Sequence, residues 1–217
     1  MPITAFLYGH YACPHTYIAQ GRLDLLASEA PVRVVWRPLP PVTPDDDDRT
    51  RIPGAGWGRV TDEHGSIAET LQSLRRDAAG LGLTLSLPSV PPDPRRALQA
   101  AEFARDCGAA EFDRLHRALF RAVFVDERDI EDAEVLVELA EASGLDREGL
   151  EAALEDGRYE PALGEVEAEA ERYGIEATPT ILLGRYKLVG AAPLDVLGET
   201  LERALADAKV DETLELP

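Results

Sequence analysis

The sequence predicts an α/β fold in which an all-helical segment is inserted between two sheet-forming stretches. Three observations predict it. A β–α–β pattern runs from Ile3 to Trp36, helical periodicity alone runs from Ile67 to Tyr173, and a β–β–α pattern closes the chain from Thr180 onward. The implied organisation is 1–66 as the first half of an α/β domain, 67–173 as the helical insertion, and 174–217 as its second half.

Ile3 to Tyr8 is a short β-prone run stopped by Gly9. Pro14 sits where a proline is tolerated at a helix start, and the helix reaches about Ser28 with Ile18, Gly21 and Leu25 on one face. Val32 to Trp36 is valine-rich and bounded by Pro31 and Pro38, which makes it a second strand. A right-handed crossover is the rule for such a unit. Between Pro38 and Ser66 nothing is periodic, and a loop of that length is usually functional or mobile.

The next stretch divides into five or six helices, with breaks at Gly82 to Pro94, Gly108, Val125 to Glu131 and Gly144 to Asp146. Phe112, Leu115, Leu119, Phe120 and Val123 fit one helical face, and Val135, Leu136, Leu139 and Ala140 fit another. Thr180 to Leu183 and Tyr186 to Val189 are two β runs separated by Gly184-Arg185, a hairpin pattern. Pro193 opens a last helix carrying Leu194, Leu197, Leu201, Ala204 and Leu205 on one side.

Composition narrows the function. The chain has 217 residues and a formal charge of −19, with 41 acidic against 22 basic side chains. Such a surface repels phosphate backbones and anionic lipid, so no nucleic-acid or membrane partner is expected. No apolar run approaches the ~20 residues that span a bilayer, and the first residues look like a strand rather than a leader. With two cysteines, Cys13 and Cys107, neither a disulfide scaffold nor a cysteine-rich zinc site is available. The expected setting is the cytoplasm.

Cys13 stands where the first strand gives way to a helix. The first turn of a helix presents unpaired N–H groups and the positive end of the dipole, and both favour thiolate over thiol. The thiolate is the nucleophile of thiol–disulfide exchange. His15, in the same turn, is expected to add positive charge or a hydrogen bond. The competing reading is a buried, inert cysteine. Cys107 follows Ala100, Phe103 and Ala104 at helical spacing and is read as a core residue.

Other constellations carry less. His10, Cys13 and His15 lack a fourth metal ligand, so no metal is expected. Gly54, Gly56 and Gly58 follow prolines rather than a strand and lack phosphate-loop spacing. Asp45 to Asp48 lacks the glycine and distal glutamate of a calcium loop. His64 and His116 read as surface or packing residues, and no Ser-His-Asp arrangement with a nucleophile elbow occurs.

Cys13-Pro14-His15-Thr16-Tyr17-Ile18 is followed by Trp36-Arg37-Pro38-Leu39, Ala118-Leu119-Phe120-Arg121-Ala122-Val123-Phe124 and the Ile130 to Leu139 stretch. Gly174-Ile175-Glu176-Ala177-Thr178-Pro179-Thr180 and Tyr186-Lys187-Leu188-Val189-Gly190-Ala191-Ala192-Pro193 complete the series. In this order the segments resemble the DsbA-like thioredoxin-fold family, in its FrnE-type branch. That branch borders the 2-hydroxychromene-2-carboxylate isomerases and kappa-class glutathione transferases. The resemblance implies a thioredoxin-like fold, a cis Pro179 against Cys13, and a free backbone edge at Thr178 that pairs with an extended substrate.

It further implies that Cys13 and Pro14 form the reactive turn and that His15 tunes the thiolate. Thr16 stands where the family's oxidoreductases carry a second cysteine, so the site cannot close its own disulfide. What remains is monothiol chemistry. Cys13 forms mixed disulfides with protein or small-molecule thiols and disulfides, and an external thiol resolves them. The Thr16 hydroxyl is expected to bond the thiolate, while Trp36, Tyr17 and the Gly54 to Gly58 loop are expected to wall the groove. No cofactor is held tightly; glutathione or another low-molecular-weight thiol is the expected co-substrate. A glutathione-dependent isomerase or transferase and a non-catalytic peptide-binding module are the alternatives. By family analogy the helical insertion pairs subunits into a homodimer.

Overall fold

Residues 2–41 and 67–214 are described by a computed structural model. Strand β1 (Ile3–Gly9) leads through helix α1 (Pro14–Glu29) to strand β2 (Val32–Pro38), which lies parallel to it. The β-branched residues Ile3, Thr4, Val32, Val34 and Val35 suit a pleated surface with few rotamers to lose. Strands β3 (Thr180–Leu183) and β4 (Tyr186–Val189) form a hairpin, and β3 runs antiparallel to β1. The sheet order is β2-β1-β3-β4, so β1 is central.

Both initial strands run further than expected. The parallel register continues to Gly9 opposite Pro38, and Leu39 N–H still donates to Gly9 O at 2.9 Å. Pro38 is tolerated because β2 is an edge strand with β1 as its neighbour.

The period of two along β1 separates two cores. Ala5 and Leu7 belong to the larger one, with Ala19, Leu23 and Leu26 of α1 and with Ile181 and Leu183 of β3. Phe6 and Tyr8 point to the other face and join Leu39, Val166, Ala170 and Ile175. Leu25, expected beside Ile18 on the buried face of α1, is instead 37% exposed. The buried stripe follows Ala19, Leu23 and Leu26, at intervals of four and three residues.

Among the described residues, six helices occupy the interval between β2 and β3. They are α2 (Ile67–Gly80), α3 (Arg95–Cys107), α4 (Ala109–Phe124), α5 (Ala133–Ala142), α6 (Arg147–Asp156) and α7 (Glu160–Arg172). The break between α6 and α7 was not signalled by the expected punctuation. Gly157 makes it, with a φ of 63° that ends α6 in the left-handed conformation. Asp132 and Asp146 cap α5 and α6 by accepting from Glu134 N–H and Gly149 N–H. Helix α8 (Leu194–Leu214) closes the chain, burying Leu197, Leu201 and Ala204. No helix among the described residues is long and apolar enough to cross a membrane. The architecture is a thioredoxin-like α/β fold with inserted helices.

Candidate functional site

The site is assembled where β1 ends. Cys13 occupies the N-cap of α1 with extended backbone angles (φ −100°, ψ 113°), and Pro14 follows in the first turn. Cys13 N–H donates to His10 O at 3.3 Å, and Cys13 O accepts from Tyr17 N–H at 3.1 Å. No acidic residue stands in the first turn of α1, so the partial positive charge of the helix start is uncompensated there.

Cys13 is 9% exposed, and its thiol donates to Thr178 O across 3.6 Å. The Thr178–Pro179 peptide is cis and feeds directly into β3. Gly190 N–H donates to Pro179 O at 2.8 Å, and the Thr180 hydroxyl donates to Ala177 O at 2.7 Å. Residues far apart in sequence therefore meet at one sulfur. It is held between a helix start and a prolyl loop.

The flanking residues divide. His15 is half-buried, and its imidazole is pushed below the ordinary range by desolvation, with Asp77 opposing and Arg22 adding to the shift. The shift works against the positive charge that is one of the two contributions expected of His15, the other being a hydrogen bond. Arg22 itself bridges three elements. It pairs with Asp77 at 3.0 Å and donates to Ala191 O at 2.6 Å, tying α1 to α2 and to the turn before α8.

Thr16 is fully buried, yet its hydroxyl has no hydrogen-bond partner among the described residues and does not reach Cys13. The side chain packs on the bare Cα of Gly9 instead. A Cβ at Gly9 would stand 2.8 Å from Thr16 Oγ1 and 3.2 Å from its Cβ. Gly9→Ala should therefore cost about 1–3 kcal/mol in urea denaturation. The double variant with Thr16→Ala should lose less than the sum of the single losses.

Trp36 is not a solvent-facing wall. It is 4% exposed, because its register opposite Leu7 turns it toward the core. There it stacks on Tyr11 with ring centroids 5.2 Å apart and meets His116 and Phe120 edge-on. Tyr17 is half-buried and stacks on Phe124 at 5.1 Å. Cys107 also departs from expectation: it is exposed. It is the last residue of α3, and the helix ends there, beyond the inward face carried by Ala100 and Ala104. Its thiol is pushed up by partial desolvation and then by the carboxylates of Asp106, Glu111 and Asp146.

Two histidines gain unforeseen surroundings. His10 is buried with Nδ1 unpaired among the described residues, and desolvation lowers it to about 4 against the opposing charge of Asp93. His116 is a packing residue, as expected, but has hydrogen-bond partners in Tyr11 and Gln20 that the linear sequence could not show. Among the described residues no cluster of three or more metal-ligating side chains exists. The Gly54 to Gly58 loop, Asp45 to Asp48 and His64 lie outside the described residues.

Comparison with known proteins gives a consistent result. The family described as DSBA-like thioredoxin domain matches residues 7–202. The Bacillus subtilis protein YwbO is 27% identical over 215 residues, covering 95% of this chain and 98% of its own. A crystal structure from Streptomyces coelicolor, described as a probable DsbA oxidoreductase, superposes with a TM-score of 0.78 at 25% identity. It covers 94% of this chain and 90% of that one. A 2-hydroxychromene-2-carboxylate isomerase shares the fold with a TM-score of 0.72 at 21% identity, over 96% of this chain and 98% of its own.

Proposed function

Since the chain belongs to the DSBA-like thioredoxin domain family, we propose that it catalyses thiol–disulfide exchange through Cys13 as a single reactive thiol. The observation that carries this reading is the contact of Cys13 Sγ, at the start of α1, with Thr178 O of the prolyl loop at 3.6 Å.

The exchange has two balanced steps. The Cys13 thiolate attacks one sulfur of a disulfide; a Cys13–substrate disulfide forms, the original S–S bond breaks, and the other half leaves as a thiolate. An external thiolate, glutathione or another low-molecular-weight thiol, then attacks the substrate sulfur of the mixed disulfide; a disulfide forms between that thiol and the substrate, the Cys13–substrate bond breaks, and Cys13 leaves as a thiolate. No net oxidation of the protein occurs. Thr16 offers no second sulfur, so resolution falls to the external thiol. The edge of Thr178 pairs with an extended substrate backbone, and Pro14, His15 and Tyr17 flank the reacting sulfur.

The test is turnover of a peptide–glutathione mixed disulfide by added reduced glutathione. The wild-type protein should accelerate it, Cys13→Ser should fall to the uncatalysed background, and Cys107→Ser should match wild type. A wild-type rate equal to background would leave a peptide-binding module as the better reading.

One observation favours a second reading. The Thr16 hydroxyl is buried and has no partner among the described residues, which suits an enzyme that orients the thiol of bound glutathione for isomerisation or conjugation. Such activity persisting in Cys13→Ala and lost in Thr16→Val would move the function to that class.

A further inference from the structure

Tyr11 lies in the turn between β1 and α1, two residues before Cys13, and is fully buried. Its hydroxyl is 2.8 Å from Nδ1 of His116, which is on α4 within the helical insertion and is itself 6% exposed. His116 Nε2 is 3.2 Å from Gln20 Oε1 on α1. The Gln20 amide nitrogen in turn donates to Asp24 Oδ1 at 2.8 Å.

This chain of bonds fixes its own direction. The Asp24 carboxylate accepts, so the Gln20 NH₂ faces it and the Gln20 carbonyl faces His116. His116 Nε2 must then carry the proton, which makes Nδ1 the acceptor and the Tyr11 hydroxyl the donor. Burial holds both groups in the required form. Tyr11 is kept protonated by desolvation, with Glu102 adding to the shift and Arg105 opposing it. His116 is kept neutral by desolvation, with Arg105 and Arg117 adding to it. Phe112 stacks on the imidazole at 5.2 Å, and Trp36 and Phe120 meet it edge-on.

We infer that His116 is a positioning residue for Cys13. It locks the Tyr11 turn to both α1 and the inserted helices, so the direction in which the sulfur faces the prolyl loop depends on a hydrogen bond made by the insertion. This inference rests on the thiol-exchange reading given above. Disulfide exchange requires attack along the axis of the breaking S–S bond, whereas alkylation by a small reagent tolerates many approaches. Loss of the lock therefore slows the first reaction more than the second.

The experiment compares two rates at Cys13, mixed-disulfide formation with oxidised glutathione and alkylation by iodoacetamide. Tyr11→Phe deletes only the donor and should slow the disulfide reaction about tenfold. Alkylation should stay within about twofold. His116→Asn keeps an acceptor near the Nδ1 position and should stay within about threefold of wild type in both, whereas His116→Leu should behave as Tyr11→Phe does.

In the wild-type protein, imidazole nitrogen NMR should show the Nε2–H tautomer at His116. An Nδ1–H tautomer, equal disulfide rates in Tyr11→Phe and wild type, or a parallel fall of both rates would each overturn the inference. Wild-type protein unreactive toward oxidised glutathione would instead overturn the thiol-exchange reading, and this inference with it.

Discussion

Thr16→Cys should turn the protein from one that accumulates mixed disulfides into one that resolves them itself. With a rise of about 1.5 Å per residue on a cylinder of about 2.3 Å radius, helix Cα atoms three apart lie about 5 Å from each other, and a disulfide accommodates Cα separations of about 4.4–6.8 Å. Position 16 lies in the first turn of α1, three residues after Cys13, and its present hydroxyl is buried without a partner among the described residues. Removing that hydroxyl relieves an unpaired buried polar group, so the variant should fold at least as well as its parent. A thiol held at this position reacts at the effective concentration of a tethered group. With oxidised glutathione the Cys13 adduct should become transient, and an internal disulfide should accumulate in its place. Oxidation of a reduced peptide by oxidised glutathione should accelerate at least about tenfold over the parent. An adduct as persistent as in the parent would mean that the two positions are not in exchange geometry.

The second large effect is loss of stability on mild acidification. His10 is lowered to about 4 and His116 to about 3 from an ordinary value of 6.5, and His15 is lowered as well. Desolvation is the leading cause for all three. A histidine whose folded value lies below its unfolded value binds its proton preferentially in the unfolded chain. Its contribution is complete above pH 6.5 and is lost as pH falls toward the folded value, at a slope of up to about 1.4 kcal/mol per unit. With His10 and His116 together, denaturant melts should lose on the order of 5 kcal/mol between pH 6.5 and pH 4, comparable to the whole stability of many domains. Groups facing these rings modulate the effect: Asp93 opposes it at His10, and Arg105 and Arg117 reinforce it at His116. His116→Asn should flatten the profile by about 1 kcal/mol per unit over this range. Parallel profiles for the two proteins would show that His116 is not held neutral.

How far the sequence was legible depended on whether a signal was local. The hairpin was readable because Gly184-Arg185 separates two β runs at their observed ends. The strand-to-helix placement of Cys13 was likewise visible, since Pro14 follows directly. The misreadings arose where tertiary context decides. Cys107 shares helical spacing with Ala100 and Ala104, but periodicity cannot reveal that α3 ends at that residue. Trp36 was expected to wall the groove, whereas its register opposite Leu7 makes it core. Thr16 was expected to face the sulfur, and only the close approach of Gly9 explains why it packs elsewhere. The bond between Tyr11 and His116 links residues 105 positions apart, so no window of sequence contains it. A buried histidine within an aromatic-rich helix, Phe112 to Phe124, was the available hint.

The two cysteines permit the most direct test of the central claim, because one is buried at a helix start and the other is exposed at a helix end. Cys107 is exposed but surrounded by Asp106, Glu111 and Asp146, which disfavour its thiolate; Cys13 is 9% exposed but sits at an uncompensated helix start. The measurement is peptide mapping by mass spectrometry after brief exposure of the native protein to limiting oxidised glutathione near neutral pH. The predicted result is a glutathionyl adduct on Cys13 while Cys107 remains a free thiol. An adduct found first on Cys107, with Cys13 unmodified, would contradict the assignment of Cys13 as the reacting thiol.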